Sequence, residues 1–277
     1  MPRLRAILCH LGALFAGAVF GVQPATRLYI NYSRTPPPQD LLAYDLCVLD
    51  PHAKADLHPG QALGHRFLAY VSLVEVAKGS PADAAAQKRG VPHLGTNEAW
   101  ASTVMDVTSA AWRAFILEDA AAVALDKGYD GLFLDTADTV SHSGFKDKAR
   151  ARQAVIDMVK ALHQRWPGKQ IILNRGFDML PDLATALNGV MVEGVYQDFD
   201  PETKHYRAVP AAGSQWVVAR IKEAQALKLP VYAVDYVSPA NIKLAGATLK
   251  RLQALNCVGL ITTPELTGTI LAPIAKP

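Results

Sequence analysis

The histidines of this chain keep apart from one another. None of His52, His58, His65, His93, His142, His163 and His205 belongs to a His-x-His or His-Glu-x-x-His pattern, and all read as loop or helix residues. That spacing argues against a metal-dependent hydrolase and for chemistry that needs neither metal nor cofactor. Gly-x-Ser-x-Gly is missing too, and with it the nucleophile turn of serine hydrolases. No Gly-rich phosphate loop follows the first apolar run, which weakens a doubly wound nucleotide-binding sheet as the alternative fold.

Charge is scarce. Only 19% of the residues are charged, too few for a disordered or heavily solvated chain. There is no dense Lys/Arg run, and setting aside Arg3 and Arg5 with a leader brings the balance of 28 basic and 25 acidic residues to about +1, so nothing supports nucleic-acid binding. Of three cysteines, Cys9 falls in the leader. Cys47 and Cys257 lie in or beside apolar runs, where two buried thiols are expected and a disulfide is the alternative. No repeat, low-complexity tract or linker divides the 277 residues, and 50% hydrophobic content suffices for one large core.

The first residues read as a targeting segment. Pro2 to Arg5 make a basic start, and Ala6 to Val22 is apolar apart from His10. About 20 clean apolar residues are needed to span a bilayer, and this run is shorter. Residues 1–25 are therefore expected to be a secretory signal peptide, with an N-terminal anchor in transient membrane contact as the alternative. Residues 26–277 would be one domain in the periplasm or outside the cell.

Along that domain eight short apolar or β-branched runs recur: "RLYINYS" from Arg27, "DLCVLD" from Asp45, "RFLAYVSL" from Arg66, "GLFLD" from Gly131, "QIILN" from Gln170, "VMVEG" from Val190, "VYAVD" from Val231 and "VGLITT" from Val258. Helical spacing of apolar residues fills 108–127, 146–166, 211–227 and 239–255. Strands alternating with helices predict a parallel sheet, and a count of eight favours a closed (β/α)8 TIM barrel. Two long connections, residues 76–107 and "QDFDPETKHYRAVP", would rise over its mouth.

The strands share a polar exit. They end on Tyr32, Asp50, Ser72 with Glu75 beyond it, Asp135, Asn174 with Arg175, Glu193, and Asp235 with Tyr236. Packing alone gives no reason for such a bias, whereas a barrel gathers these ends into one ring where ligands bind. A ring rich in carboxylates suits cleavage of a glycosidic bond by a carboxyl pair, and Asp135 and Glu193, each closing an apolar run, are the pair expected to be catalytic.

"AYVSLVEV", "NEAWAS", "GYDGLFLDTADT", "ILNRGF", "VEGVY" and "LPVYAVDYV", in this order, resemble the PelA-like glycoside hydrolase domains and, more distantly, the endo-α-1,4-polygalactosaminidases of glycoside hydrolase family 114. The resemblance implies a TIM barrel with Asp135 as nucleophile and Glu193 as acid/base. It also implies an endo-acting, retaining hydrolase of α-1,4-linked galactosamine/N-acetylgalactosamine exopolysaccharide of biofilm matrix, cationic where deacetylated. It covers a hydrolase portion, so any deacetylation is expected to be done elsewhere. Tyr32, Asp50, Tyr70, Glu75, Asn174, Tyr196 and Asp235 are the expected substrate contacts, structural hydrogen bonding being the alternative for each. Asp50, Glu75, Asp138 and Asp235 would draw the polymer electrostatically. Arg175 is expected to pair with a mouth carboxylate, Trp100 to pack its loop or stack on a sugar, and Trp112, Trp166 and Trp216 to be core. A catalytically silent polysaccharide-binding barrel, or a hydrolase of another α-linked glycan, are the competing readings.

Overall fold

A computed structural model describes residues 26–142 and 144–273 of the protein. The leader expected over residues 1–25 lies outside the described residues, as do the last four positions of the expected domain. Eight strands stand where the apolar runs place them: β1 Leu28–Asn31, β2 Leu46–Leu49, β3 Arg66–Ser72, β4 Gly131–Asp135, β5 Gln170–Asn174, β6 Gly189–Glu193, β7 Val231–Tyr236 and β8 Val258–Thr262. Each pairs parallel with the next in chain order. Helices Lys148–Arg165, Ala211–Ala226 and Ile242–Ala254 fill the connections, and residues 110–126 form a helix widened by π-helical turns in its middle.

The ring is nearly closed. Between β1 and β8 there is no ladder; the segment after β8 is laid into the seam instead. Tyr32 donates its N–H to the Leu266 carbonyl at 2.8 Å and Asn31 bridges to Thr267, while Leu271 N–H and Thr262 Oγ1 bind Ile261 and Thr269 carbonyls on the other side. Gly268 sits in this strap at φ 90°, and a β-carbon there would stand 2.3 Å from the Tyr29 hydroxyl, so only glycine fits.

Side chains alternate across the sheet, and this sets what reaches the barrel interior. Leu28, Ile30, Leu46, Val48, Leu68, Phe133, Ile172, Met191, Tyr232, Val234 and Leu260 pack inside. The intervening residues, among them Leu132, Leu134, Leu173, Val192 and Ala233, face the helices and join the larger core with the fully buried Trp112. Trp166 packs partly buried against that core. Trp216, expected in the core, is instead 50% exposed, because its place in the first turns of Ala211–Ala226 leaves it at the edge against Phe177. Trp100 is 64% exposed, so it does not pack its loop onto the barrel. Cys47 and Cys257 are buried and unbridged.

The two long connections have structure of their own. After β3, strands Glu75–Ala77, His93–Asn97 and Ser102–Met105 form an antiparallel sheet beside helix Pro81–Lys88, and after β6 a hairpin pairs Gln197–Asp200 with His205–Ala208. His93 and His205 thus open strands, not loops or helices.

Candidate active site

Alternation explains how the polar strand ends meet. Asp135 lies two residues past Phe133, Asn174 two past Ile172, Glu193 two past Met191, Tyr70 two past Leu68, Tyr236 two past Val234 and Tyr32 two past Ile30. Asp135, Asn174, Glu193 and Tyr236 occupy the last inward position of their strands, Tyr70 the last but one of β3, and Tyr32 the inward position just past the end of β1, all one layer above the apolar filling. Three of the strands then leave by the same device. Thr136, Arg175 and Gly194 directly follow Asp135, Asn174 and Glu193, and all three are left-handed, with φ of 64°, 55° and 66°. Glycine takes that conformation freely, whereas for threonine and arginine it is strained, a feature that persists where surrounding contacts over-determine it. Thr136 shows those contacts: its Oγ1 accepts the Val74 N–H at 3.0 Å and shares a hydrogen bond with Ser72 Oγ at 2.8 Å, while its N–H binds Asp135 Oδ1 at 2.7 Å.

The two carboxylates share a donor. Asn174 Nδ2 donates to Asp135 Oδ1 at 2.8 Å and to Glu193 Oε1 at 2.7 Å. Asp135 Oδ2 accepts from the Tyr70 hydroxyl at 2.9 Å, and Glu193 Oε2 from the Tyr236 hydroxyl in a short contact. Tyr32 stands edge-on to Tyr70 with ring centroids 5.0 Å apart. Asp135 thus faces three donors. Glu193 is different: burial, and then the negative charge of Asp135, push its carboxyl above the usual glutamate range, while Tyr236, Asn174 and Arg175 pull it back in part. Both acids are half-buried, reached by solvent from the mouth. One acid biased toward its proton beside another whose oxygens accept three hydrogen bonds suits the division of labour of glycosidic cleavage.

Asp50, Glu75, Tyr196 and Asp235 stand elsewhere. Asp235 has the opposite parity from Tyr236, so its fully buried carboxylate faces away from the barrel interior and takes the N–H groups of Val195, Tyr196 and Gln197 at 2.6–2.9 Å. It shapes the turn behind Glu193 rather than the rim. Glu75, 5% exposed, accepts from Thr139 Oγ1 at 2.7 Å and from Asn97 and Ser102, which ties the antiparallel insert to the turn after β4. Asp50 binds the His52 N–H and lies 3.6 Å from Arg34, because β2 stops at Leu49 before its inward position is reached. Tyr196 lies beneath the Arg251 guanidinium, 3.5 Å from its ring centre, on the helix side of the barrel. Arg175 pairs with Asp138, Nε to Oδ2 3.3 Å. Tyr236 is the site residue that had no assigned role; its two-residue spacing from Val234 was the signal. Among the described residues no three His, Cys, Asp or Glu side chains converge as metal ligands would.

A parallel (β/α)8 barrel whose C-terminal mouth holds a bridged Asp–Glu pair defines a glycosidase. The comparisons agree. The family model of glycoside-hydrolase family GH114 matches residues 16–273, and the chain belongs to that family. Among solved structures it is similar to the glycoside hydrolase domain of PelA from Pseudomonas aeruginosa, with 30% identity over 89% of this chain and 99% of that one and a TM-score of 0.81. Aspergillus fumigatus Ega3, solved in complex with galactosamine, shares the fold at 17% identity over 90% of this chain and 96% of its own, with a TM-score of 0.69. No curated protein matches the chain.

Proposed function

We propose that this glycosidase is an endo-acting, retaining hydrolase of α-1,4-linked galactosamine/N-acetylgalactosamine polysaccharide, with Asp135 as nucleophile and Glu193 as acid/base. The observation that carries this reading is the single nitrogen shared by the two carboxylates. With N···O distances of 2.8 and 2.7 Å to one nitrogen, the two bound oxygens are held within about 5.5 Å of each other, which favours the spacing of a retaining pair over the roughly 6.5–9.5 Å that leaves room for an inverting water. Asp135 attacks the anomeric carbon as the C1–O bond to the departing sugar breaks, and Glu193 gives that oxygen its proton. Water then enters, Glu193 takes its proton back, and the hydroxide displaces Asp135 from C1.

The substrate class rests on kinship and charge. The PelA structure is that of a glycoside hydrolase domain and Ega3 was solved with galactosamine; Asp135, Glu193 and Asp138 make a mouth suited to an amino sugar. The basic and apolar character of residues 1–25 supports action in the periplasm or outside the cell. Digestion of defined galactosamine and N-acetylgalactosamine oligomers, read by mass spectrometry with the first-formed anomer followed by NMR, tests the proposal. Internal cuts with α-configured new ends are expected. Binding without cleavage, or cuts only in other α-glycans, contradicts it.

A further inference from the structure

Arg175 occupies a backbone position that arginine suits badly. Its φ of 55° is left-handed, a conformation strained for residues with a β-carbon and entered more easily by glycine or asparagine. What distinguishes arginine there is the side chain. The guanidinium stands beside one acid of the mouth, with Nε 3.3 Å from Asp138 Oδ2, and its charge reaches another, Glu193. Yet the contact with Asp138 is proximity without alignment, since Nε is buried and finds no acceptor in hydrogen-bonding geometry.

Asp138 is the acid with room. Asp135 takes Tyr70, Asn174 and the Thr136 amide; Glu193 takes Tyr236 and Asn174; Glu75 takes Thr139, Asn97 and Ser102; Asp235 takes three amides. Among the described residues, Asp138 has its own backbone N–H, the misaligned guanidinium and the charge of nearby His142. Its side chain is 36% exposed and stands three residues past Asp135, whose charge reaches it. A half-buried carboxylate with unfilled lone pairs, beside a loosely held resident cation, is a seat for an incoming one.

Building on the proposed function, we infer that Asp138 receives the free ammonium of an unacetylated amino-sugar unit seated at the carboxylate pair, displacing Arg175. Asp138 is then the specificity-determining residue for acetylation state. The ammonium supplies three donors to a carboxylate that has few, whereas an N-acetyl group brings no charge and leaves the ion pair in place.

The test is a digest of partly deacetylated galactosamine polymer, in which mass spectrometry reads the acetylation state of the units flanking each cut. The ratio of cuts beside free-amine units to cuts beside N-acetyl units is internal to the digest, independent of how much of a variant folds. Asp138→Asn is expected to lower it about tenfold. Arg175→Asn, which suits the left-handed backbone and removes the competing cation, is expected to raise it. Calorimetric affinities of free-amine and N-acetyl oligomers for Glu193→Gln proteins carrying the same substitutions report the same ratio without turnover. A pair that only holds its loop would slow both kinds of cut alike in both variants, and an unchanged ratio overturns the inference while leaving the proposed function standing. Failure of the unsubstituted protein to cut the polymer overturns the proposed function first, and the role of Asp138 with it.

Discussion

Asp135 and Glu193 accept hydrogen bonds from one and the same atom, Nδ2 of Asn174, at 2.8 and 2.7 Å. An amide nitrogen only donates, so it favours both acids as acceptors and fixes their separation at once.

Asn174→Ala removes the shared donor from both acids. With the link between the carboxylates gone and each left to its remaining donors, kcat/KM on galactosamine polymer should fall about 100-fold, mostly in kcat, because a small misplacement of reacting groups is enough for that loss. Reducing-end release against substrate concentration checks it, and a change confined to KM would assign Asn174 to substrate binding instead.

Tyr236→Phe should move the pH profile upward. The Tyr236 hydrogen bond favours the charged form of Glu193, so its loss raises a carboxyl already lifted by burial and by Asp135. The protonated form is the active acid, present below its pKa and lost as pH rises through it. The alkaline limb of kcat/KM should therefore shift to higher pH in Tyr236→Phe, as pH–rate profiles of both proteins would reveal; a downward shift contradicts the assigned role.

Asp235→Ala should act through the fold. It orphans the amides of Val195, Tyr196 and Gln197 in a buried turn, and a few kcal/mol of stability should go with them, at about 1–3 kcal/mol for each unsatisfied group. Urea unfolding measures this. Unchanged stability with a raised KM would return Asp235 to the substrate.

The eight barrel strands and the Asp–Glu pair were legible in the residues because short apolar runs and polar strand ends are local signals. Strand parity carries further information. Counting by twos from Phe133, Met191 and Val234 puts Asp135, Glu193 and Tyr236 inside and Asp235 outside, so the choice of Asp235 over Tyr236 could have been settled without coordinates. Other features follow from tertiary contacts that no local pattern carries. Glu75 is consumed by an antiparallel insert whose strands pair across a helix, Asp50 depends on where β2 stops, and Trp216 has helical spacing suited to a core it only borders. The strap across the β1–β8 seam comes from residues with no strand signal, and only the steric demand at Gly268 betrays it.

Turnover of galactosamine polymer by Asp135→Asn and Glu193→Gln, each isosteric with the residue it replaces, tests the two-carboxylate chemistry most directly. Both should lose at least about 1,000-fold in reducing-end release while unfolding at the same temperature as the unsubstituted protein. Activity within tenfold of the original in either one would contradict the account.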